Sequence, residues 1–372
     1  MASEKWSTLL KRTGIQAENA LEYVQKRAGK RLKPDQKLHV IAYRGFGVRT
    51  ATGWQGKSSG RVLEYREAAV PSASYLWNNL RDSYARFGTD ELVGVEVQGV
   101  IDGNTMTTVT DEEGYFSLVY SASSQPTGST LSITFNLPQH DNFQLDGDPF
   151  ITLPDTEARF GVISDIDDTI LVTEATSLLS MMRLTLLRSS ASRVAFPGIA
   201  RFYEVLHDNK NPFFYVSSSP WNLYEFLTDF MQLKGIVAGP LMLRDFGIDD
   251  TKFIASAHKD HKLKQIRTVL DTYPELSFVL SGDSGQDDPE IYTQIAQEYP
   301  GKILAIYIRD VSDEWRDRDI QAMIDICKAC SVDMLLVPDS LAAAVHASSI
   351  KLLPEQAIDS IAQATQADLA PA

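Results

Sequence analysis

Cysteine is almost absent from this chain: there are two, Cys327 and Cys330. Their C-K-A-C spacing suggests a redox or zinc pair, but no further cysteine exists to complete a thiolate-rich zinc site. The surrounding IQAMIDICKACSVD reads as the end of a helix, so a buried or half-buried pair of reduced thiols is expected. Long apolar runs are also missing, and none approaches the roughly 20 residues that span a bilayer. The opening MASEKWSTLLKRTGIQAEN has no apolar block followed by a small-residue cleavage site. It therefore does not read as a secretory signal, and a cytoplasmic protein is expected. Positive charge is in deficit: 35 Lys and Arg stand against 49 Asp and Glu, a net charge of −14. Bulk electrostatics of that sign exclude a general nucleic-acid binder.

What is present is an ordinary globular composition, 44% hydrophobic and 23% charged, over 372 residues. That is enough for a full core and suggests more than one domain. Residues 1–35 stand apart as a basic helix, in which Lys5, Lys11, Arg12, Lys26, Arg27, Lys30, Arg31 and Lys33 face few acids. Trp6, Leu9, Leu10, Leu21 and Val24 give it a partial apolar stripe. Such a helix can lie on an anionic membrane surface or pack on the next domain with its charges in water.

Residues 36–157 change to short alternating runs: KLHVIAYRG, GRVLEY, LVGVEVQGVI, TMTTVT, GYFSLVY and STLSITFNL. Turn signals such as Asp102-Gly103-Asn104 and Glu113-Gly114 divide them, as in an antiparallel β-sandwich. VTDEEGYFSLVY resembles the hairpin of transthyretin-like sandwich modules. One stretch here imitates a phosphate-binding loop, Ala51-Thr-Gly-Trp-Gln-Gly56-Lys57-Ser58. A real one needs a helix after it, and SGRVLEY is strand-like. A flexible hairpin loop is expected instead.

From residue 158 to 372 strands and helices alternate. The strands are FGVISDID, PFFYVSSS, LSFVLSGD, KILAIYIRDV and VDMLLVPDS, with amphipathic helices between them and a polar helical tail that frays at its end. This pattern means an α/β domain with a parallel, Rossmann-like sheet covered on both faces. Ligands bind such sheets at the carboxyl ends of the strands. Three strands end in polar clusters: Ser164-Asp165-Ile166-Asp167-Asp168-Thr169, Ser217-Ser218-Ser219, and Gly282-Asp283 through Asp287-Asp288. In an extended segment Asp165 and Asp167 point to the same side, and two close carboxylates call for a cation. Mg²⁺ takes oxygen ligands, few from protein and the rest from water and phosphate. Asp283 supplies a further carboxylate, completing an open magnesium site able to hold a phosphate. An EF-hand is excluded, because Ile170 and Leu171 stand where that loop needs a glycine turn.

Asp-x-Asp-x-Thr after an apolar strand, a hydroxyl at the next strand end, a lysine, and then Gly-Asp-x-x-x-x-Asp follow in the order of the haloacid dehalogenase superfamily of phosphatases. The words SDIDDTI, FPG, YVSSSPWNLY, HKLKQI and SGDSGQDDPEIYTQI, with AYRGFG before them, resemble one family within it. That family is the actin-patch-associated phosphatidate phosphatases and their bacterial relatives. The resemblance implies that Asp165 is the nucleophile, Asp167 the proton donor and acceptor, and Thr169 its support. It implies Mg²⁺ as cofactor at Asp165, Asp167, Asp283 and Asp288. Asp288, the second acid of the third cluster, would orient the lysine or a metal-bound water. Ser217 and Ser218 would bind the substrate phosphate with a lysine. Lys259, Lys262 and Lys264 all offer themselves for that role. Lys262 best matches the family word and is expected at a helix start.

The motifs specify a phosphate ester rather than a particular one. SLLSMMRLTLLRSSASRVAFPG, with Arg183, Arg188 and Arg193 among Leu and Met, suits either a lipid surface or a core helix with solvated arginines. The resemblance implies phosphatidate as substrate, and so a phospholipid partner and a peripheral membrane location. A phosphatase of a soluble ester or phosphoprotein is the first alternative. A non-catalytic lipid-binding scaffold is the second, although such a binder has no need of the second aspartate.

Overall fold

The computed structural model describes residues 36–65, 92–126, 128–166, 196–244, 255–311 and 314–370. The basic stretch 1–35 and the Leu/Met-rich segment after Asp168 lie outside the described residues. The chain divides into two compact units: Met1–Asp155 with Asn222–Asp229, and Thr156–Trp221 with Phe230–Ala372. Among the described residues no helix is long and apolar enough to cross a membrane.

The first unit holds two sheets around one core. A long hairpin of β1 (Leu38–Thr50) and β2 (Gly53–Glu64) pairs antiparallel from Leu38↔Glu64 to Thr50↔Gly53. β5 (Tyr115–Ala122) extends it along β2. The second sheet is β4 (Asn104–Val109), β3 (Glu96–Ile101) and β7 (Thr134–Asn136), antiparallel throughout. Val40, Trp54, Val62, Phe116 and Tyr120 of the first sheet share a buried cluster with Val97, Ile101 and Phe135 of the second. That shared cluster is the sandwich the alternating runs predict.

Two expectations are corrected in this unit. The sandwich is not wholly antiparallel, because β8 (Phe143–Asp146) and β9 (Phe150–Thr152) both run parallel to β1. Parallel partners need a long connection, and the chain makes one by passing through the second sheet before returning to β1. The phosphate-loop imitation is also not a flexible loop. Only Ala51 and Thr52 form the turn, and Gly53–Ser58 is strand. Trp54, buried, anchors it in the core. A Cβ on Gly53 would collide with the carbonyl oxygen of Ala122 on β5, so this glycine serves strand pairing.

The second unit is an all-parallel six-stranded sheet in the order β12-β11-β10-β13-β14-β15. Its strands are β10 (Gly161–Ser164), β11 (Phe213–Pro220), β12 (Leu241–Arg244), β13 (Phe278–Asp283), β14 (Ile303–Arg309) and β15 (Asp333–Val337). Every residue of β10 and β13 is buried, so both faces of the central strands are covered, as a parallel sheet requires. The helices are α1 (Ile199–His207), α2 (Tyr224–Leu233, its first turns grouped with the first unit), α3 (Ala255–Thr272), α4 (Asp288–Glu298), α5 (Glu314–Ala329), α6 (Ser340–Ser349) and α7 (Ala357–Leu369).

The edge strand β12 is an addition to the five strands expected. LMLR is four residues, all buried, with no alternation to mark it. The tail is the mostly polar helix expected, and α7 also buries Ile361 and Thr365. Its Asp368 accepts from the Gly198 backbone N–H at 2.8 Å, and Ser360 accepts from Arg201 at 3.1 Å. The two cysteines are free: Cys327 is buried against Thr293 and Cys330 is half-buried.

Candidate active site

The central strand β10 lies between β11 and β13, with Ser164 paired to Tyr215 and to Ser281. Ser217 and Asp283 each stand two residues beyond those partners, so both flank Asp165 at the carboxyl edge. Asp165 follows β10 directly and its backbone N–H donates to the Ser281 carbonyl at 2.9 Å. Asp165, Asp283 and Asp288 are fully buried, and their carboxyl oxygens lie within 4.8 Å of one another.

Lys262 is the cation at this cluster. Its Nζ lies 2.8 Å from Asp165 Oδ1 and donates to Asp288 Oδ1 at 2.7 Å. Burial alone would push the ammonium down, but Asp165, Asp288 and Asp283 outweigh it and hold Lys262 well above the usual lysine range. Of the three candidate lysines, Lys259 is only half-buried and Lys264 is exposed. Lys262 sits in the interior of α3, not at a helix start as expected, because the polar stretch Ala255–His261 before it is helical too. That stretch carries little apolar periodicity, which hides the helix in the sequence.

Asp288 opens α4 with both oxygens engaged: Oδ1 takes the lysine, and Oδ2 takes the Asp283 backbone N–H at 3.2 Å. Its neighbour Asp287 is exposed. The Asp288 side chain lies over Gly282, where a Cβ would meet Asp288 Cβ at 2.8 Å and collide with its Oδ2. Glycine in the G-D pair is thus what lets the second acid reach the lysine. Asp283 Oδ1 accepts from the backbone N–H groups of Gly285 and Gln286, at 2.7 and 3.0 Å, which fixes its rotamer. On the other side, Ser217 is buried and its Oγ accepts from the Ser219 N–H at 2.9 Å, while Ser218 is half-exposed. Asp167 and Thr169 lie outside the described residues.

Below the cluster runs a chain of hydroxyls that no motif signals. Ser164 Oγ donates to the Asp165 carbonyl at 2.6 Å and lies 2.8 Å from the Tyr203 hydroxyl. Tyr203 in turn lies 2.9 Å from Ser281 Oγ. Both faces of the Asp165 peptide are therefore held, its N–H by Ser281 and its C=O by Ser164. Burial first, opposed by the two serines and helped by Asp165, pushes the Tyr203 hydroxyl up to about 12, so it keeps its proton at neutral pH. Tyr203→Phe takes the tyrosine partner from Ser281 Oγ and leaves Ser164 Oγ only its bond to the Asp165 carbonyl, and it is expected to cost about 1–3 kcal/mol in urea denaturation. Ser164 and Ser281 stand inside the motif words, but Tyr203 comes from α1 and only the fold brings it there. Arg309, paired in register with Asp283 and stacked 4.5 Å from the Phe196 ring, is a charged neighbour the sequence pattern leaves unmarked.

Among the described residues, three buried acids converge on the one buried lysine, a set of charges that a further cation would help to balance. The donor atoms are all oxygens, the set that a hard divalent cation takes. The described residues therefore fit Mg²⁺.

The acid-and-lysine cluster lies at the carboxyl edge of a parallel α/β sheet, where such sheets bind ligands. Residues 160–310 match the family described as phosphatidate phosphatase APP1, catalytic domain. The phosphatidate phosphatase APP1 of Saccharomyces cerevisiae is 31% identical over 217 residues, which are 58% of this chain and 37% of that protein. An uncharacterized protein of Schizosaccharomyces pombe is 28% identical over 155 residues, 41% of this chain and 26% of its own. The chain thus matches roughly a third of the length of these curated relatives. Among solved structures, a carbohydrate acetylesterase from Xanthomonas citri is similar at 10% identity over 86% of this chain and 71% of its own, with a TM-score of 0.26. A score that low supports no statement about fold or activity.

Proposed function

We propose that this chain is a magnesium-dependent phosphatase of the haloacid dehalogenase type, acting on phosphatidate to give diacylglycerol and phosphate. The observation that carries the reading is Lys262 bridging Asp165 and Asp288 in a buried cluster with an excess of acid. In this reading Asp165 attacks phosphorus through a carboxylate oxygen, the alkoxide leaves, and an aspartyl-phosphate forms. Asp167 gives the departing oxygen its proton and then takes one from the hydrolytic water, with Thr169 beside it. Lys262, held in place by Asp288, pairs with the phosphoryl oxygens, and Ser217 and Ser218 hydrogen-bond them. Mg²⁺, held by Asp165, Asp283 and Asp167, would neutralise charge between the anionic nucleophile and the anionic ester. Because Asp288 spends both oxygens on Lys262 and the Asp283 amide, its role is to orient the lysine rather than to bind metal. The lipid reading is supported by the matched family and by the yeast relative. It makes the protein a cytoplasmic enzyme that visits an anionic membrane surface.

The test is phosphate release from mixed phosphatidate–detergent micelles beside a panel of soluble phosphomonoesters, with Mg²⁺ and with chelator. Release from micelles that stops on chelation is expected. Release from the soluble panel alone would remove phosphatidate, and release from neither would remove the phosphatase.

A further inference from the structure

The first unit contains a second cluster of metal-ligating groups that the phosphatase reading does not use. His39 on β1, Asp146 on β8 and Glu225 at the start of α2 bring one donor atom each within 4.8 Å of one another. The three come from separate rigid elements. β1 and β8 pair in parallel with His39 opposite Gln144, so His39 and Asp146 are diagonal neighbours on the sheet. His39 is buried, and both carboxyl groups converge on the same ring atom. Nε2 lies 2.5 Å from Asp146 Oδ2 and 3.7 Å from Glu225 Oε1.

One imidazole nitrogen and two carboxylate oxygens converging on one point are a donor set that a single cation can share. Metal–nitrogen and metal–oxygen bonds of about 2.0–2.2 Å in tetrahedral geometry put donors roughly 3.3–3.6 Å apart. The two observed separations straddle that range, so a small rotamer adjustment would suffice. The surrounding groups orient the donors as ligand-supporting residues do. Lys37 Nζ, 3.5 Å above the Tyr65 ring, donates to Gln144 Oε1 at 3.5 Å. That fixes the other end of the amide, and Gln144 Nε2 donates to Asp146 Oδ1 at 3.0 Å. Asp146 is thereby held with Oδ2 toward His39. The Tyr65 ring meets the imidazole edge-on at 6.4 Å.

We propose that His39, Asp146 and Glu225 form a binding site for a divalent transition metal, distinct from the strand-end cluster. Imidazole with two carboxylates selects a borderline cation of the zinc class over magnesium. Three protein donors leave a fourth position to water, and the cation ties β1, β8 and the first turn of α2 together.

The experiment loads the full chain with Zn²⁺ in excess Mg²⁺, which competes at the all-oxygen cluster, then removes free metal and measures what is retained. About one zinc per chain is expected in the natural protein, with a rise in melting temperature on loading. Glu225→Gln and His39→Ala should each lose it, whereas Asp283→Asn and Cys330→Ser should keep it. Glu225→Gln preserves shape, so circular dichroism of that variant separates lost ligation from lost folding. Equal retention in all variants, no retention by the natural protein, or loss confined to Asp283→Asn or Cys330→Ser would each overturn the site. The readout is bound metal rather than phosphate release, so it is independent of the phosphatase reading.

Discussion

Asp165→Asn should lower magnesium-dependent phosphate release by about 10³-fold or more, the scale on which loss of a covalent nucleophile falls, and the fold should survive. The substitution is isosteric at a fully buried position, so no cavity opens. It removes one negative charge from a cluster in which three acids face one lysine, so repulsion among Asp165, Asp283 and Asp288 falls. The amide can still meet Lys262 through its carbonyl oxygen. The hydroxyl chain beneath is untouched, because Ser164 grips the backbone carbonyl and not the side chain. Stability should therefore be equal to or above that of the natural protein while turnover is lost. Phosphate release measured beside a thermal melt checks both halves. A near-normal rate in a folded variant would take the nucleophile role away from Asp165, and a large loss of stability would mean the cluster is organised by something other than charge.

That site was legible in the sequence to the extent that its members stand at strand ends. Asp165 and Asp283 are the last polar groups after buried apolar runs, and a parallel sheet has to bring such ends together. The choice of Asp288 over Asp287 also came from spacing, and the fold buries the first while exposing the second. What spacing did not carry was anything supplied sideways. Tyr203 reaches the site from a helix, so only tertiary packing defines its partner hydroxyls. The start of α3 was hidden because Ala255–His261 is polar and helical at once, and β12 because four buried residues have no period to detect. In the first unit the alternating runs marked strands well. Strand direction is set by the path of the connection, and alternation is the same for a parallel and an antiparallel neighbour. The docking of α7 rests on two buried positions, Ile361 and Thr365, and on hydrogen bonds to Gly198 and Arg201, none of which a largely polar helix signals.

Lys262→Met should lose activity as Asp165→Asn does, but stability with it. The side chain is buried among three buried acids, and its ammonium is within 2.8 Å of Asp165 and 2.7 Å of Asp288. Methionine fills similar volume, so the loss isolates the charge. Breaking a buried pair by deleting one partner costs about 3–5 kcal/mol, since the remaining charge stays buried without its counter-ion. The pH dependence of stability should change as well. In the natural protein, Lys262 is raised well above the ordinary lysine value, so its contribution is complete below that value and fades only as pH climbs through the raised one. Across the neutral range it is constant. In the variant, the clustered acids have lost their cation, and the folded state then holds protons more tightly than the unfolded chain. Stability must consequently rise as pH falls from neutral toward about 4, the ordinary carboxylate range. Adding Asp288→Asn to Lys262→Met removes one of the stranded charges and should return about 1–3 kcal/mol of the loss, with phosphate release still absent. Urea denaturation of the two variants and the natural protein between acid and neutral pH gives all of these quantities. If Lys262→Met unfolds at the same urea concentration as the natural protein at every pH, Lys262 is not the counter-ion of Asp165 and Asp288, and the argument for a cation-dependent cluster falls with it.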